Sequence, residues 1–387
     1  MPRSQTEAYP VTRQPPTHGD QHRVTIKEIA RMCGVSVQTV SRVINGRPDV
    51  SPETRKAVEA AIAQVGFQPS AVARSLVQRR SFTLGVVAAG LRYFGVAQTL
   101  NGITEESEAQ GYALLLKEIE GSALDDLMPV IDFLMARRVE GIIFAAPDLG
   151  ENLASLRARL PMAAPPLVFL KSEPSRAFTT ILIDNYGGAR AATAHLAALG
   201  RQRIAHLAGP LAWHEARDRH QGWRDAVRHA RLDAGPVVEG DWTSASGASA
   251  IERLLEEDPA IDSLFAANDQ MALGALNVMH RRGISVPDDI AVVGFDGMDE
   301  GEFFSPSLTT VRQPLRELGQ LAVREILATT GEPSGRSPVH ALTLATELIV
   351  RESAPATGLD ATDGTERGAT PAATPDVVAV EPPGRSE

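Results

Sequence analysis

From residue 82 onward, short apolar runs alternate with amphipathic stretches, and this alternation restricts the fold more than any other feature of the chain. The strand candidates are residues 84–89, 112–118, 141–146, 167–170, 180–183, 203–208, 263–267 and 290–294. Helical stretches separate them, among them residues 97–110, 186–199, 217–231, 248–257 and 269–281. Such alternation predicts parallel α/β layers. About 270 residues are many for one sheet, so we expect two doubly wound lobes.

The stretch before this region reads as helical throughout. The apolar side chains of its first helix fall on one face: Ile26, Ile29, Ala30 and Cys33. Gly34 permits the left-handed backbone of a tight turn, and Ser36 has the chemistry of an N-cap for a second helix at 37–44. Ser51, with proline directly after it, opens a third helix. Two short helices around a glycine turn predict a helix-turn-helix.

The second helix presents polar side chains outward, while three apolar residues face the first helix: Val40, Val43 and Ile44. Gln38 can pair with an adenine edge, Arg42 with guanine O6 and N7, and Val37 can touch a thymine methyl group. Basic side chains nearby suit DNA phosphates: Lys27, Arg31, Arg47, Arg55 and Lys56. The alternative explanation is an ordinary three-helix cap whose charges are solvated.

Formal charge is divided unevenly along the chain. Residues 1–80 hold twelve Lys/Arg and six Asp/Glu, a balance of +6, so a total of −10 leaves −16 for the remainder. A basic module on an acidic body suits a nucleic-acid partner, although chance variation between domains gives the same split. The single cysteine, Cys33, excludes an intrachain disulfide and a cysteine-based zinc site, which suits a reducing compartment.

Several motifs together resemble the lactose/galactose-repressor (LacI/GalR) family of transcriptional regulators. VTIKEIA at 24–30 and GVSVQTVSRVIN at 34–45 are similar to its headpiece, and VSPETR at 50–55 and GFQPSAVARSL at 66–76 continue the likeness. The resemblance extends over about residues 24–351, leaving out only the two tails. It implies an α+β multidomain protein with an all-α helix-turn-helix headpiece and hinge helix, followed by two doubly wound α/β lobes of periplasmic-binding-protein type.

We therefore expect five segments. They are a disordered tail at 1–22, the headpiece at 23–68, a hinge at 69–81, a two-lobed core with discontinuous lobes at 82–352, and a disordered tail at 353–387. The ends are polar or low in apolar periodicity, which favours disorder. The sequence has no uninterrupted apolar run of about 18 residues, so no transmembrane helix is expected, and no export signal is recognised. A cytoplasmic protein at the bacterial nucleoid is expected.

The resemblance also implies how DNA is contacted. In the family the hinge folds into a helix on DNA and a leucine wedges into the minor groove; Leu76 holds that place and Arg74 that of a backbone-contacting arginine. The alternative is a plain linker helix with Leu76 packed on the body. The DNA-contacting residues implied are Thr25, Val37, Gln38, Thr39, Ser41, Arg42, Asn45, Arg74 and Leu76.

The lobes are expected to hold a small effector in the cleft between them. Family-like blocks are LAGPL at 207–211, GDW at 240–242, ANDQMALG at 267–274, VGFD at 293–296 and SLTTV at 307–311. The resemblance implies that Arg217 clamps effector hydroxyls, Asn268 and Asp296 hydrogen-bond to them, Trp242 offers an aromatic face, and Gln313 lies at the cleft wall. This chemistry suits a sugar.

Each of these residues has a plainer explanation. Asp296 could bond local turn amides, Asn268 could cap the helix that follows, and Trp242 could be core. The sequence also departs from the family, since Lys171 stands where an acidic residue contacts sugar. Lys171 could pair with Asp296, meet an acidic sugar, or point to solvent. Trp213 and His214 replace small residues near the cleft mouth, and Tyr93 with Phe94 could add an aromatic wall.

The sequence thus indicates a DNA-binding regulator, a repressor controlled by a small carbohydrate, without cofactor, metal or enzymatic activity. A homodimer is expected because one headpiece reads half of a pseudopalindromic operator. One alternative is an extracytoplasmic sugar-binding protein, which the headpiece and the missing export signal disfavour. The other is an α/β enzyme, but no phosphate-binding glycine loop, nucleophile elbow or paired metal motif is present.

Overall fold

The computed structural model describes residues 24–44, 46–67, 80–119, 126–146, 153–172, 177–330, 339–356 and 378–379. Internal contacts divide the chain into two units, Met1–Arg80 and Ser81–Glu387, which are described separately. None of the helices in these segments combines the length and the apolar character needed to cross a membrane. Asn45, Arg74, Leu76 and residues 69–79 of the predicted hinge lie outside the described residues.

The first unit is built from three helices, α1 (Ile26–Met32), α2 (Val37–Ile44) and α3 (Pro52–Val65). Gly34, with a φ of 65°, makes the turn between α1 and α2. The Ser36 hydroxyl accepts a hydrogen bond from the Thr39 backbone N–H at 3.0 Å, and Ser51 caps α3. The predicted turn and caps are confirmed.

A small apolar core holds these helices together. Its buried members are Ile29, Ala30, Val40, Val43, Val58 and Ala61. Each helix contributes two of them; those of α1 are adjacent, and those of α2 and of α3 are three residues apart, a spacing that places both side chains on one helical face. Packing of α1 against α2 fixes the face that α2 turns to solvent.

The second unit contains two α/β lobes. The strands of the N-terminal lobe are β1 (Thr83–Ala89), β2 (Ala113–Ile119), β3 (Ile142–Ala145), β4 (Leu167–Leu170), β5 (Thr179–Ile183), β11 (Ala341–Leu344) and β13 (Val378–Ala379). Its helices are α4 (Phe94–Ala109), α5 (Met128–Met135), α6 (Leu153–Arg159) and α11 (Leu315–Thr329). The strand order is β13-β11-β5-β4-β3-β1-β2, and all strands except β13 run parallel.

The C-terminal lobe repeats this architecture. Its strands are β6 (Ile204–Ala208), β7 (Val237–Glu239), β8 (Ser263–Ala266), β9 (Ala291–Asp296), β10 (Thr309–Arg312) and β12 (Glu347–Ile349). Its helices are α7 (Asn185–Ala198), α8 (His214–His229), α9 (Ser244–Glu257) and α10 (Asp269–Arg281), with a 3-10 turn at Asp299–Phe303. The order is β12-β10-β9-β8-β6-β7, with only β12 antiparallel among the described strands.

The chain passes between the lobes after β5, after β10, after β11 and, before β13, after β12. This confirms the prediction of two doubly wound lobes that are discontinuous in sequence. The apolar patterns had not predicted α11, which returns the chain to the N-terminal lobe and packs along α4. Two glycines permit that close approach, because a Cβ on Gly102 would lie 1.9 Å from the Arg316 carbonyl oxygen and one on Gly319 would lie 2.2 Å from the Thr99 carbonyl oxygen.

The boundary expected for the C-terminal tail, residue 353, is too early. Ser353 and Ala354 are fully buried in the C-terminal lobe. The Ser353 hydroxyl donates to the Val292 carbonyl oxygen at 2.6 Å and accepts from the Thr309 backbone N–H at 2.8 Å. The sequence did not reveal this part of the fold, because the segment has few apolar residues and is held by hydrogen bonds to strands.

A buried histidine makes the stability of the C-terminal lobe pH-dependent. His206 on β6 stacks between Trp223 and Phe265 and has no exposed surface. Burial, with minor contributions from the His220 and Arg219 charges, lowers its pKa to about 3. The neutral ring therefore stabilises the fold fully above pH 6.5, and this contribution is lost as pH falls from 6.5 toward 3.

We expect His206→Phe to flatten the acid limb of the stability profile. Each pH unit below 6.5 costs the wild type about 1.4 kcal/mol at this residue, or about 2 kcal/mol by pH 5. Urea unfolding of both proteins at pH 7.5 and at pH 5 measures this effect. For each protein, the free energy of unfolding at pH 5 is compared with its own value at pH 7.5. Equal losses of unfolding free energy in both proteins would contradict the assignment.

Candidate functional site

A cleft of about 510 Å³, open to solvent at its mouth, lies between the two lobes of the second unit. It lies at the carboxyl ends of parallel strands, where open α/β sheets bind ligands. Lys171 follows β4 directly and Asp296 ends β9. Six of the seven residues expected to contact an effector line it: Tyr93, Lys171, Trp242, Asn268, Asp296 and Gln313.

The seventh expected residue, Arg217, does not line the cleft; the arginine two positions later does. Arg217 is absent from the cleft lining, and its guanidinium donates to the carbonyl oxygens of Leu211 and Ala212, at 3.3 and 2.7 Å, in the loop before α8. Arg219 lines the cleft in its place and is 5% exposed. Helical spacing could have found it, because the buried face of α8 is formed by Ala216, Arg219, Trp223 and Ala226.

The Arg219 guanidinium is fixed from several sides. Its Nε donates to Asn185 Oδ1 at 2.8 Å, and its Nη1 donates to the Ala267 carbonyl oxygen and, at 3.4 Å, to Asp296 Oδ1. The ring of Phe295 lies 4.0 Å below it, a cation–π contact. None of these bonds uses Nη2. The cleft therefore holds a rigid donor whose orientation is set before any ligand arrives.

Asp296 is the matching acceptor. Its Oδ1 accepts from Gln313 Nε2 at 2.6 Å and from Arg219, so Oδ2 is left for a ligand. Burial raises the pKa of Asp296, while the charges of Arg219 and Lys171 oppose that rise. The backbone of Asp296 has a φ of 118°, a conformation that costs energy and is concentrated at binding sites.

A second carboxyl group lies directly behind Asp296. Asp269 accepts from the Thr310 hydroxyl at 2.6 Å and from the Met298 backbone N–H at 2.8 Å. Burial, and then repulsion from Asp296, raises the pKa of Asp269 to about 8. A pKa near 8 favours the protonated form of Asp269 at neutral pH, whereas the charges of Arg219 and Lys171 favour the ionised form of Asp296.

Aromatic rings form another part of the cleft lining, and the Trp242 ring centroid lies 5.4 Å from the Arg219 guanidinium. Tyr93 of the N-terminal lobe meets Trp213 of the C-terminal lobe edge to face at 5.4 Å, and Trp213 lies 5.8 Å from Trp242. Trp242 is 6% exposed and belongs to the core, which confirms the plainer explanation; it also lines the cleft, and its contact with an effector stays a prediction. Gly209 makes room for it, since a Cβ there would lie 2.0 Å from the indole.

Asn268 positions other groups. Its Oδ1 accepts from the Met271 backbone N–H at 2.9 Å, which caps α10, and its Nδ2 donates to the Trp242 carbonyl oxygen at 3.0 Å. The capping alternative is therefore what the structure shows. The second bond holds the backbone of Trp242, whose φ is 72°, and so places the indole in the wall.

Lys171 and Glu215 face the cleft from opposite lobes. Burial lowers the pKa of Lys171, while the Glu215 and Asp296 charges oppose that effect. Of the three alternatives for Lys171, direct pairing with Asp296 is not seen, since no hydrogen bond or salt bridge joins the two side chains, and the half-buried lysine lines a cleft that is open to solvent. Sequence reasoning missed Glu215, which precedes Ala216 on the buried face of α8 and is 6% exposed.

The outer face of α2 is the candidate nucleic-acid interface of the first unit. Val37, Gln38 and Arg42 are exposed there, while Thr39 and Ser41 are half-buried. Thr25, exposed at the start of α1, shares a capping box with Glu28. Arg42 Nε lies 3.5 Å from Asp49 Oδ2 in a surface ion pair. This face offers the amide and guanidinium groups that read base edges.

Each of the two units matches a known protein family. Residues 25–70 match the family described as bacterial regulatory proteins, lacI family, and residues 193–354 match the periplasmic binding protein-like domain. The lactose operon repressor of Escherichia coli (strain K12) is 34% identical over 304 residues, which are 79% of this chain and 84% of that protein.

Solved structures agree. The Lac repressor dimer bound to operator and the anti-inducer ONPF has a TM-score of 0.74 and 32% identity, covering 86% of this chain and 99% of that chain. A complex of the transcriptional regulator CelR with cellobiose has a TM-score of 0.61 and 33% identity, covering 86% and 100%.

Proposed function

The chain belongs to the LacI family of bacterial transcriptional regulators, and we propose that it is a repressor whose operator affinity is controlled by a small carbohydrate. The observation that carries the proposal is the pairing of a helix-turn-helix unit with a cleft that holds a rigid arginine–carboxylate pair beside an aromatic wall. Its site of action is the nucleoid, since that is where operators lie.

Operator reading falls to the outer face of α2. Gln38 and Arg42 contact base edges, Val37 contacts a thymine methyl group, and Thr25, Thr39 and Ser41 contact the backbone. Asn45, Arg74 and Leu76 complete the proposed contacts from the sequence alone. Two headpieces are needed for a pseudopalindrome, so we propose a homodimer, as the dimeric Lac repressor relative suggests.

Effector recognition falls to the cleft. Arg219 Nη2 donates to one effector hydroxyl and Asp296 Oδ2 accepts from another, and the burial of both side chains strengthens these bonds. The indoles of Trp213 and Trp242 cover the apolar C–H face of the ring. Both lobes contact one ligand, so binding favours one lobe arrangement over another and shifts the DNA-competent population through the hinge.

The dimer proposal predicts an effect at Phe303. This side chain ends the 3-10 turn and, at 82%, is the most exposed large apolar side chain among the residues described, so we propose that the partner subunit covers it. Phe303→Asp should raise the dimer dissociation constant at least tenfold and weaken operator binding in parallel, while effector binding stays intact. Sedimentation velocity across a concentration series measures the shift. Unchanged self-association would remove Phe303 from the interface.

The test of the whole proposal is a binding experiment on the intact protein. A thermal-shift screen of neutral mono- and disaccharides identifies a ligand, because ligand binding to the native state raises the melting temperature. The same ligand is then added to an operator gel shift. A ligand that binds the protein without changing operator affinity would overturn the allosteric part of the proposal.

A further inference from the structure

One charged pair in the cleft is arranged in a way that the proposed function does not explain. Lys171 comes from the end of β4 in the N-terminal lobe, and Glu215 from the first turn of α8 in the C-terminal lobe. Glu215 is 6% exposed, and its buried Oε2 has no hydrogen-bond partner. Among the residues described, the Lys171 ammonium likewise takes part in no hydrogen bond and no salt bridge within 4.0 Å.

The Lys171 ammonium lies where the backbone disfavours a cation. A Cβ on Gly95 would lie 3.3 Å from Lys171 Nζ, so the ammonium lies against the first turn of α4. That end of a helix carries partial positive charge and disfavours a cation. The attraction of Glu215 and Asp296 keeps Lys171 there, yet neither carboxylate touches it. An oxygen between Lys171 and Glu215 would supply the missing bonds of both.

A ligand hydroxyl suits both neighbours at once. A hydroxyl accepts from an ammonium and donates to a carboxylate through the same oxygen. A ligand carboxylate in that place would meet the Glu215 charge, and a ligand ammonium would meet the Lys171 charge. The cleft is also balanced without a ligand, because two cations, Lys171 and Arg219, face two carboxylates, Glu215 and Asp296. A charged effector would disturb this balance.

We propose that Lys171 and Glu215 together read a single hydroxyl of a neutral sugar and thereby join the two lobes through the ligand. This inference rests on the proposed carbohydrate regulation and narrows it to uncharged ligands. The pair excludes sugar acids through Glu215 and amino sugars through Lys171. It also couples recognition to lobe arrangement, since one oxygen is shared by residues that belong to different lobes.

The test measures affinity of the full-length protein by isothermal titration calorimetry. The probes are neutral disaccharides (cellobiose, maltose, lactose and sucrose), the aldobiouronic acids of the first two, and their amino-sugar counterparts. Wild type should bind a neutral member at least tenfold more tightly than its acidic and amino forms. Glu215→Gln and Lys171→Met should each lower the affinity for the neutral sugar at least tenfold. Glu215→Gln should also raise the acid-to-neutral affinity ratio at least tenfold, which loss of structure alone would not do.

Glu300→Gln, an exposed glutamate in the 3-10 turn, is the matched control and should change neither affinity nor ratio. If a neutral sugar binds and both cleft variants bind it as wild type does, the hydroxyl bridge is wrong and carbohydrate regulation stands. The same holds if the acidic or amino form binds wild type more tightly. If no saccharide of any class binds, both proposals are overturned.

Discussion

Arg42→Ala should abolish specific operator recognition while leaving the second unit fully functional. A bidentate contact between arginine and guanine discriminates by about 1–3 kcal/mol, and a dimer makes the contact once in each half-site. The combined loss of about 2–6 kcal/mol approaches the margin that separates specific from non-specific binding. Fluorescence anisotropy with operator and with scrambled duplex, at one salt concentration, measures the specificity ratio.

The fold of the first unit should tolerate this change. Arg42 and Asp49 are both about half exposed, and an exposed pair contributes at most about 1 kcal/mol to folding. Asp49→Asn breaks the same pair but keeps the arginine, so it should retain the preference for operator. A uniform loss of affinity for all sequences after Arg42→Ala would show that Arg42 contacts phosphate and does not read bases.

Arg219→Gln should produce a repressor that binds operator normally and no longer responds to its effector. The substitution removes a charged donor whose hydrogen bonds are worth about 1.5–3 kcal/mol, so effector affinity should fall by about 10- to 150-fold. Glutamine keeps part of the packing on Phe295 and can still reach a polar neighbour. Calorimetric titration of the effector and an operator gel shift measure the two properties separately.

Arg217→Ala is the matched control, two residues away on the same helix. Its guanidinium bonds carbonyl oxygens of the preceding loop and is absent from the cleft lining, so effector affinity should stay within about twofold of wild type. The reverse outcome, loss of effector binding with Arg217→Ala and none with Arg219→Gln, would restore the assignment that the sequence motif alone implied. Retained operator binding shows that each variant is folded.

The headpiece was predictable from sequence because its determinants are local. A glycine at the turn, serine caps and apolar residues at helical spacing specify each helix, and the structure reproduces all three. The α/β alternation likewise predicted most strands to within two residues. Shorter strands such as β7 (Val237–Glu239) and β12 (Glu347–Ile349) escaped, because three residues at a sheet edge carry too little apolar periodicity.

The sequence predicted most of the residues that line the cleft, but it named Arg217 where the structure has Arg219. Six expected residues meet in the cleft because each follows or ends a strand, and parallel strands bring their carboxyl ends together. Arg217 and Arg219 are both arginines near the same motif, and their positions around α8 distinguish them, because only Arg219 lies on the buried face of the helix. Glu215 was missed because the sequence could not show that a helical glutamate would face Lys171 across the cleft from the other lobe.

The central claim is that a ligand in the cleft controls binding at the headpiece. The most direct measurement is operator affinity by anisotropy, with and without a saturating neutral sugar identified by thermal shift, for wild type and for Arg219→Gln. We predict a change of roughly 5- to 150-fold in operator affinity for wild type, the usual range of allosteric coupling, and a much smaller change for the variant at the same sugar concentration, because the variant binds the sugar more weakly. A wild-type operator affinity that is identical in the presence and absence of bound sugar would contradict the account.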